Sequence, residues 1–356
     1  MINRDGYHLK PRRKRLKGSR PYLYEIAVIG GGPAGIMAAI RAGQLKKDVV
    51  LIERNNRIGK KLRLTGKGRC NITNAASLDT FIEKFGKQGL FLRSAFSMFF
   101  NKELIDFFKS RGLCLKTERQ GRVFPVTDRA DSVVEVLDNA LKENNLKVLY
   151  NTHVLRIRRK NNFFQLDIAN KGNVYARKVI MDTGGVSFKA TGSTGDGFCI
   201  ARKLGHTIRP LMPALVPLKT AEPWVRQLQG LSLKNIRITF VYGKKKIISG
   251  IGELLFTHFG VSGPLVLDLS GRVAALLINN RKINLFIDLK PGLEPEKLQA
   301  RLLKEFSSRG KTYFKNIMKE LLPHKLIPVF IHLSGIDPAR WQARLQNPKG
   351  AQSYVY

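Results

Sequence analysis

Gly30-Gly31-Gly32-Pro33-Ala34-Gly35 sets three glycines at the spacing G-x-G-x-x-G, after one apolar run and before a helix-forming one. That spacing suits the holding of a diphosphate. Gly30 permits a tight turn, Gly32 lets the backbone come close to phosphate, and Gly35 lets a helix pack against the preceding strand. Free N–H groups at a helix N-terminus, with the helix dipole, attract negative charge. Pro33 gives up only a donor that the first turn would not use. Glu53 follows 18 residues after Gly35, at the end of a second apolar run. A carboxylate there accepts from ribose hydroxyls. An acid in that place argues against a 2′-phosphate, but it does not separate FAD from NAD.

For these residues to meet, 24–29 must be a strand, 33–45 a helix and 48–53 (DVVLIE) a second strand. This is a βαβ unit, which requires parallel strands in a covered sheet. A glycine- and lysine-rich loop follows over 57–74, then helical patterns over 91–110 and 130–144. Strands are expected at 147–150, 153–158, 163–169 and 176–182, and a short helix at 198–204. Beyond it Pro210, Pro213 and Pro217 mark a change of character, with strands at 215–218, 236–242, 245–251 and 283–289. The signal is helical from 294 to 345, for example over 296–306 and 313–322. The best junction lies between 195 and 210.

The composition bounds the rest. With 43% apolar and 25% charged residues in 356, the chain is an ordinary globular protein of two or three domains. Cys70, Cys114 and Cys199 are too scattered for a disulfide framework. No C-x-x-C pair suggests zinc, so no metal is expected, and a reducing cytoplasm fits. The uncharged run 26–40 after a basic arm resembles a secretory signal, but its glycines and its length argue against both a signal and a membrane span. The net charge of +37 is extreme. The arm 1–21 carries eight Lys/Arg and one Asp, and is expected to be disordered. Such an excess attracts nucleic acid or anionic surfaces nonspecifically without specifying a face.

The loop RIGKKLRLTGKGRCNITN (57–74) resembles the BaiN-like NAD(P)/FAD-dependent oxidoreductases, glutathione-reductase-like flavoproteins also called the aminoacetone oxidase family. Three further blocks are similar: GRVFPVTDRAD (121–131), TGGVSFKATGSTGDG (183–197) and GELLFTHFGVSGPLVLDLS (252–270). The resemblance runs from about Tyr24 to Ala343. It implies FAD as cofactor and NAD(P)H as electron donor. The fold it implies is α/β, a Rossmann-like three-layer FAD-binding domain of glutathione-reductase type with an inserted β-rich and helical domain. It further implies that Gly30 to Gly35 hold the pyrophosphate, with Glu53 and Arg54 on the adenosine side. Lys60, Gly66, Gly68, Arg69, Cys70 and Asn71 would wrap the pyrophosphate and approach the flavin, and Val154 would touch adenine through its backbone. Thr183, Gly184 and Gly185 resemble the family's second FAD-contacting turn. Asp182 stands before them where the family has alanine, which sets an acid near a dianionic cofactor.

The residues themselves suit this work: Gly66 and Gly68 expose backbone donors, and Lys67 and Arg69 bring positive charge. Cys70 has no second cysteine about five residues away, so disulfide reduction is not expected; packing or pocket lining is. His258, in THFGVSGP, is the candidate proton donor or acceptor beside the flavin, with a structural role as the alternative. Ser193 and Asp196 are expected to cap the helix that follows them, with contact to the cofactor as the alternative.

The expected division is a basic arm (1–21), an FAD domain (22–195), a β-rich insert (196–293), its helical part (294–345) and a tail (346–356). By the resemblance, a further strand and glycine turn of the FAD domain would follow the helical part, and nothing after Lys290 matches them. The expected activity is hydride transfer between flavin and a small organic substrate. Two alternatives stay open: a truncated, catalytically inactive remnant, and a flavoprotein acting on RNA. The oligomeric state is not legible.

Overall fold

The computed structural model describes residues 21–170, 172–278, 282–307 and 312–336. The expected basic arm, apart from Pro21, and the tail 346–356 lie outside these residues. The chain divides into two compact units, one ending at Arg209 and the other beginning at Pro210.

The first unit is built outward from the glycine corner. β1 (Leu23–Ile29) and β2 (Val49–Ile52) run parallel, with Ile26 beside Val49 and Ile29 beside Ile52. All four residues of β2 are buried, as a strand covered on both faces requires. Between them α1 (Pro33–Gln44) buries Gly35, Ile36, Ala39, Ile40 and Ala42. Those positions recur at three- and four-residue spacing, so they form one stripe laid on the sheet.

A small antiparallel sheet then forms from β3 (Thr73–Asn74), β4 (Leu115–Thr117) and β5 (Arg122–Pro125), in the order β3-β5-β4. Helices α2 (Leu78–Lys84), α3 (Gly89–Met98) and α4 (Asn101–Lys109) separate β3 from β4 in the chain. The single helix expected over 91–110 is two, because Phe99 and Phe100 have extended backbones. The Glu103 carboxylate accepts the Phe100 N–H at 2.9 Å and starts the second helix. The Phe100 ring packs edge-on against Phe81, 4.8 Å between centroids, which fixes the corner.

α5 (Ala130–Glu143) shares a core with α1, burying Val133, Val134, Leu137 and Leu141 against Ile36, Ile40 and Leu51. After it come β6 (Lys147–Leu149), β7 (Val154–Arg159), β8 (Phe164–Ile168) and β9 (Gly172–Met181). The large sheet has the order β6-β2-β1-β9-β8-β7. β9 is used twice: its start pairs antiparallel with β8, and its later part runs parallel to β1 as far as Ile29 beside Met181. Beyond Ala176 the edge of β9 away from β1 pairs with no strand among the described residues. The two carboxyl ends of β1 and β9 therefore lie side by side, where the chain order of the sheet reverses. That is where open α/β sheets bind ligands. The last helix, α6 (Asp196–Lys203), was expected in the insert, but Ile200 is buried with Ala27, Val154 and Leu166 in the first unit.

The second unit holds β10 (Leu218–Lys219), β11 (Ser232–Tyr242), β12 (Lys245–Ile248), β13 (Gly252–Phe256) and β14 (Gly260–Ser262), in the order β10-β14-β13-β11-β12. α7 (Pro264–Leu277) follows, and β15 (Asn284–Asp288) pairs with β11. Ile236, Ile238 and Phe240 alternate along β11 into the core with Leu254, Phe256 and Val266. α8 (Pro295–Ser307), α9 (Phe314–Leu321) and α10 (Ile327–Ser334) form the expected helical part. α7 was not read as a helix; its sequence PLVLDLSGRVAALL is apolar on too many sides to show a clear period. Among the described residues no helix is long and apolar enough to cross a membrane.

Leu51 is fully buried between the sheet and α1. Leu51→Ala is expected to lower unfolding free energy by about 2–5 kcal/mol, measured by urea denaturation. A loss within experimental error of zero would contradict this packing.

Candidate functional site

At the junction of β1 and α1 the chain turns through Gly30, whose φ of 114° is open to glycine but strained for other residues. A Cβ on Gly30 would come within 2.0 Å of the Asp182 carbonyl oxygen. The two strand ends are thus pressed together as only glycine permits. A Cβ on Gly35 would meet the Gly30 carbonyl at 2.1 Å, so the first turn of α1 sits directly on the turn that feeds it. Gly32 differs: the nearest atom to a Cβ there is Asp182 Oδ2 at 3.8 Å. Its missing side chain leaves open space in front of the helix N-terminus.

Glu53 organises the opposite wall. It is 6% exposed, and its Oε2 accepts the Gly31 N–H at 2.7 Å. Its Oε1 accepts both the backbone N–H and the side-chain amide of Asn55, at 2.7 and 2.6 Å. The carboxylate is locked in place with about one acceptor site to spare, since two oxygens offer about four and three are taken. Thr152 N–H donates to the Glu53 carbonyl at 3.0 Å, tying the segment before β7 to the same corner.

A third wall is the turn before α6. Arg54 Nη1 donates to Thr194 Oγ1 at 2.9 Å and to Asp196 Oδ2 at 3.0 Å. His153 Nε2 is 2.8 Å from the same carboxylate oxygen. Lys60 Nζ donates to the Ala190 carbonyl at 2.9 Å, and Lys61 Nζ to Ser193 Oγ at 2.6 Å. Burial pushes the Asp196 carboxyl up, but Thr194, His153 and Arg54 outweigh it and hold the group below its ordinary range. Neither Ser193 nor Asp196 caps α6, which has no side-chain cap; both line the cleft as partners of basic side chains from the 54–61 segment.

These walls enclose a cleft of about 300 Å³, at the lower end of the ~300–1,000 Å³ usual for ligand sites. Gly30, Gly31, Gly32, Pro33, Ala34, Glu53, Arg54, Lys60, Val154, Thr183 and Gly184 all line it. Gly35 lies just behind, in the first turn of α1. The residues fit an adenine dinucleotide on two observations. The N–H groups of Gly32 and Ala34 make no hydrogen bond among the described residues, and the absent Gly32 side chain leaves the room that a phosphate would fill.

The structure does not bring every expected residue to this cleft. Gly66, Gly68, Arg69, Cys70, Asn71 and Gly185 are not among its lining residues. Arg69 is committed elsewhere, donating to Glu118 at 2.8 Å and lying 4.1 Å from the Phe124 ring centroid. Cys70 is buried, and burial raises its thiol pKa, with Thr65 partly offsetting this. His258 sits in the second unit, exposed in the turn between β13 and β14, its ring edge-on to Phe259. Sequence reasoning missed Asn55, Thr152, His153 and Thr191. Only Asn55 had a local signal, two residues after the acid it serves.

Residues 24–331 match the family model described as HI0933-like protein Rossmann domain. The chain belongs to this family. These are FAD-dependent oxidoreductases of BaiN and aminoacetone oxidase type, so the protein is a flavoprotein oxidoreductase. It is 31% identical over 331 residues to the 3-dehydro-bile acid delta(4,6)-reductase of Clostridium scindens, covering 90% of this chain and 80% of that protein. It is 30% identical over 315 residues to the ribosomal RNA dihydrouridine synthase of Haemophilus influenzae, covering 86% and 74%. Among solved structures it resembles 3-ketosteroid-delta4-(5alpha)-dehydrogenase from Rhodococcus jostii RHA1, at 14% identity and a TM-score of 0.43, over 66% of this chain and 62% of that one.

Asp182 borders the same cleft, and its carboxylate accepts the Gly35 N–H. Burial raises its pKa and that hydrogen bond only partly offsets the rise. A raised folded-state pKa stabilises the protein below the unfolded value, and that contribution is lost as pH rises through the folded value. Asp182→Asn keeps an acceptor for Gly35 without the charge. In cofactor-free protein it is expected to raise Tm at pH 8, by an amount that shrinks as pH falls toward 4.5. A pH-independent difference would contradict the assignment.

Proposed function

We propose that the cleft holds the adenosine diphosphate half of FAD and that the enzyme reduces a carbon–carbon double bond conjugated with a carbonyl, with NAD(P)H as donor. The observation that carries the cofactor half is the buried Glu53 carboxylate, fixed by Gly31 and Asn55 beside the open N-terminus of α1. In this reading the amides of Gly32 and Ala34 bind the diphosphate and Glu53 accepts from ribose hydroxyls. Arg54 and Lys60 carry positive charge on the same wall, the backbone of Val154 borders adenine, and Thr183 and Gly184 border the phosphates. The loop from Gly66 through Gly68, Arg69 and Cys70 to Asn71, with Gly185, serves the flavin end. When bound, FAD supplies hydride chemistry through N5, while the protein orients it and excludes water.

The substrate class rests on the relatives' names. A delta(4,6)-reductase of a 3-dehydro-bile acid and a dihydrouridine synthase both add hydrogen across a double bond conjugated with a carbonyl. His258 remains a candidate proton donor for that reduction.

The test of the cofactor reading is Gly32→Val. Gly32 has φ −79° and ψ 175°, a conformation valine adopts freely. The fold is therefore expected to survive while FAD binding weakens at least a hundredfold, read by flavin fluorescence titration beside a thermal melt. Unchanged FAD affinity in a folded variant would contradict the reading.

A second reading, in which the conjugated ring is a base of structured RNA, is favoured by the net charge of +37. Neutralised phosphates release counterions, so log K should fall linearly with log salt at about −0.9 per phosphate contact. Filter binding to ribosomal RNA at 50–300 mM salt is expected to show a steep slope that flattens when 1–20 are deleted. A shallow slope, unaffected by the deletion, would favour a free small molecule instead.

A further inference from the structure

The backbone of Asp182 is held on both sides. Its N–H donates to the Ile29 carbonyl at 2.8 Å, and its own carbonyl lies against Gly30. With the main chain fixed at the end of β9, its side chain is delivered to the first turn of α1. There Oδ2 accepts the Gly35 N–H and lies 3.8 Å from where a Cβ on Gly32 would stand. Gly32 is the N-cap residue and has no side chain to cap with, so a residue 150 positions away in the chain supplies the missing acceptor.

A carboxylate at that place draws on the same partial positive charge that attracts a diphosphate. No basic side chain of the cleft is hydrogen-bonded to Asp182: Arg54 is paired with Asp196, Lys60 donates to the Ala190 carbonyl and Lys61 to Ser193, while Glu53 adds a second carboxylate. His153 is turned to Asp196.

We propose that Asp182 is an internal competitor for the diphosphate: its carboxylate holds the Gly35 amide, beside the open Gly32 and Ala34 amides, while the dinucleotide is away and opposes its entry. The inference rests on the reading of the cleft as an FAD site, and its consequence is a cofactor held more loosely than the cradle alone would allow.

The experiment is calorimetric titration of wild type, Asp182→Asn and Asp182→Ala with FAD, ADP and adenosine, with folding checked by circular dichroism. Asn keeps the acceptor for Gly35, so a failure of Ala to fold leaves a usable variant. Both substitutions are expected to tighten FAD and ADP by roughly ten- to a hundredfold and to leave adenosine, which has no phosphate, unchanged. If folded variants bind FAD and ADP no more tightly than wild type, or if adenosine gains as much as ADP, the competitor role is overturned and the FAD reading stands. If neither wild type nor variants bind FAD, the reading of the cleft fails, and the proposal with it.

Discussion

The buried carboxylate of Glu53 is the constraint around which the first unit is arranged. A charged group at 6% exposure is tolerated only if its oxygens are satisfied, and three short donors from Gly31 and Asn55 do that. Those donors in turn fix the glycine turn and the start of the loop after β2. The carboxylate therefore converts a sheet-and-helix corner into a rigid cleft wall. Removing it would leave buried amides unpaired, at a cost of about 1–3 kcal/mol each.

The sheet order does the remaining work. Because β9 lies against β1, the ends of two strands distant in sequence meet beside the N-terminus of α1. One consequence is that Thr183 and Gly184 are carried to the lining of the cleft. The other is that Asp182 is carried there too. The same strand pairing thus builds the site and places an acid within it. Family membership sets the chemistry as flavin-dependent oxidoreduction.

Much of the first unit was legible because its determinants are local. The turn at Gly30 to Gly35, the apolar runs either side and the acid at position 53 all lie within 31 residues of Leu23. What was not legible depends on contacts distant in sequence. Ser193 and Asp196 read as helix caps because their type suits caps, but Lys61 and Arg54 reach them across more than 130 positions. Arg69 read as a phosphate contact because it sits among glycines, yet Glu118 and Phe124 take its charge and its plane. The break at Phe99 and Phe100 carries no proline or glycine; it comes from an aromatic cluster that periodicity does not register. Asp182 was noticed as a departure from the family, but only the fold shows that its carboxylate meets Gly35.

A crystal structure of the protein grown with FAD tests the account most directly. It should show the diphosphate within hydrogen-bonding distance of the Gly32 and Ala34 amides, a ribose hydroxyl on Glu53, and the Asp182 side chain displaced from Gly35. Electron density for the dinucleotide elsewhere, or a Glu53 carboxylate without any contact to it, would contradict the central claim.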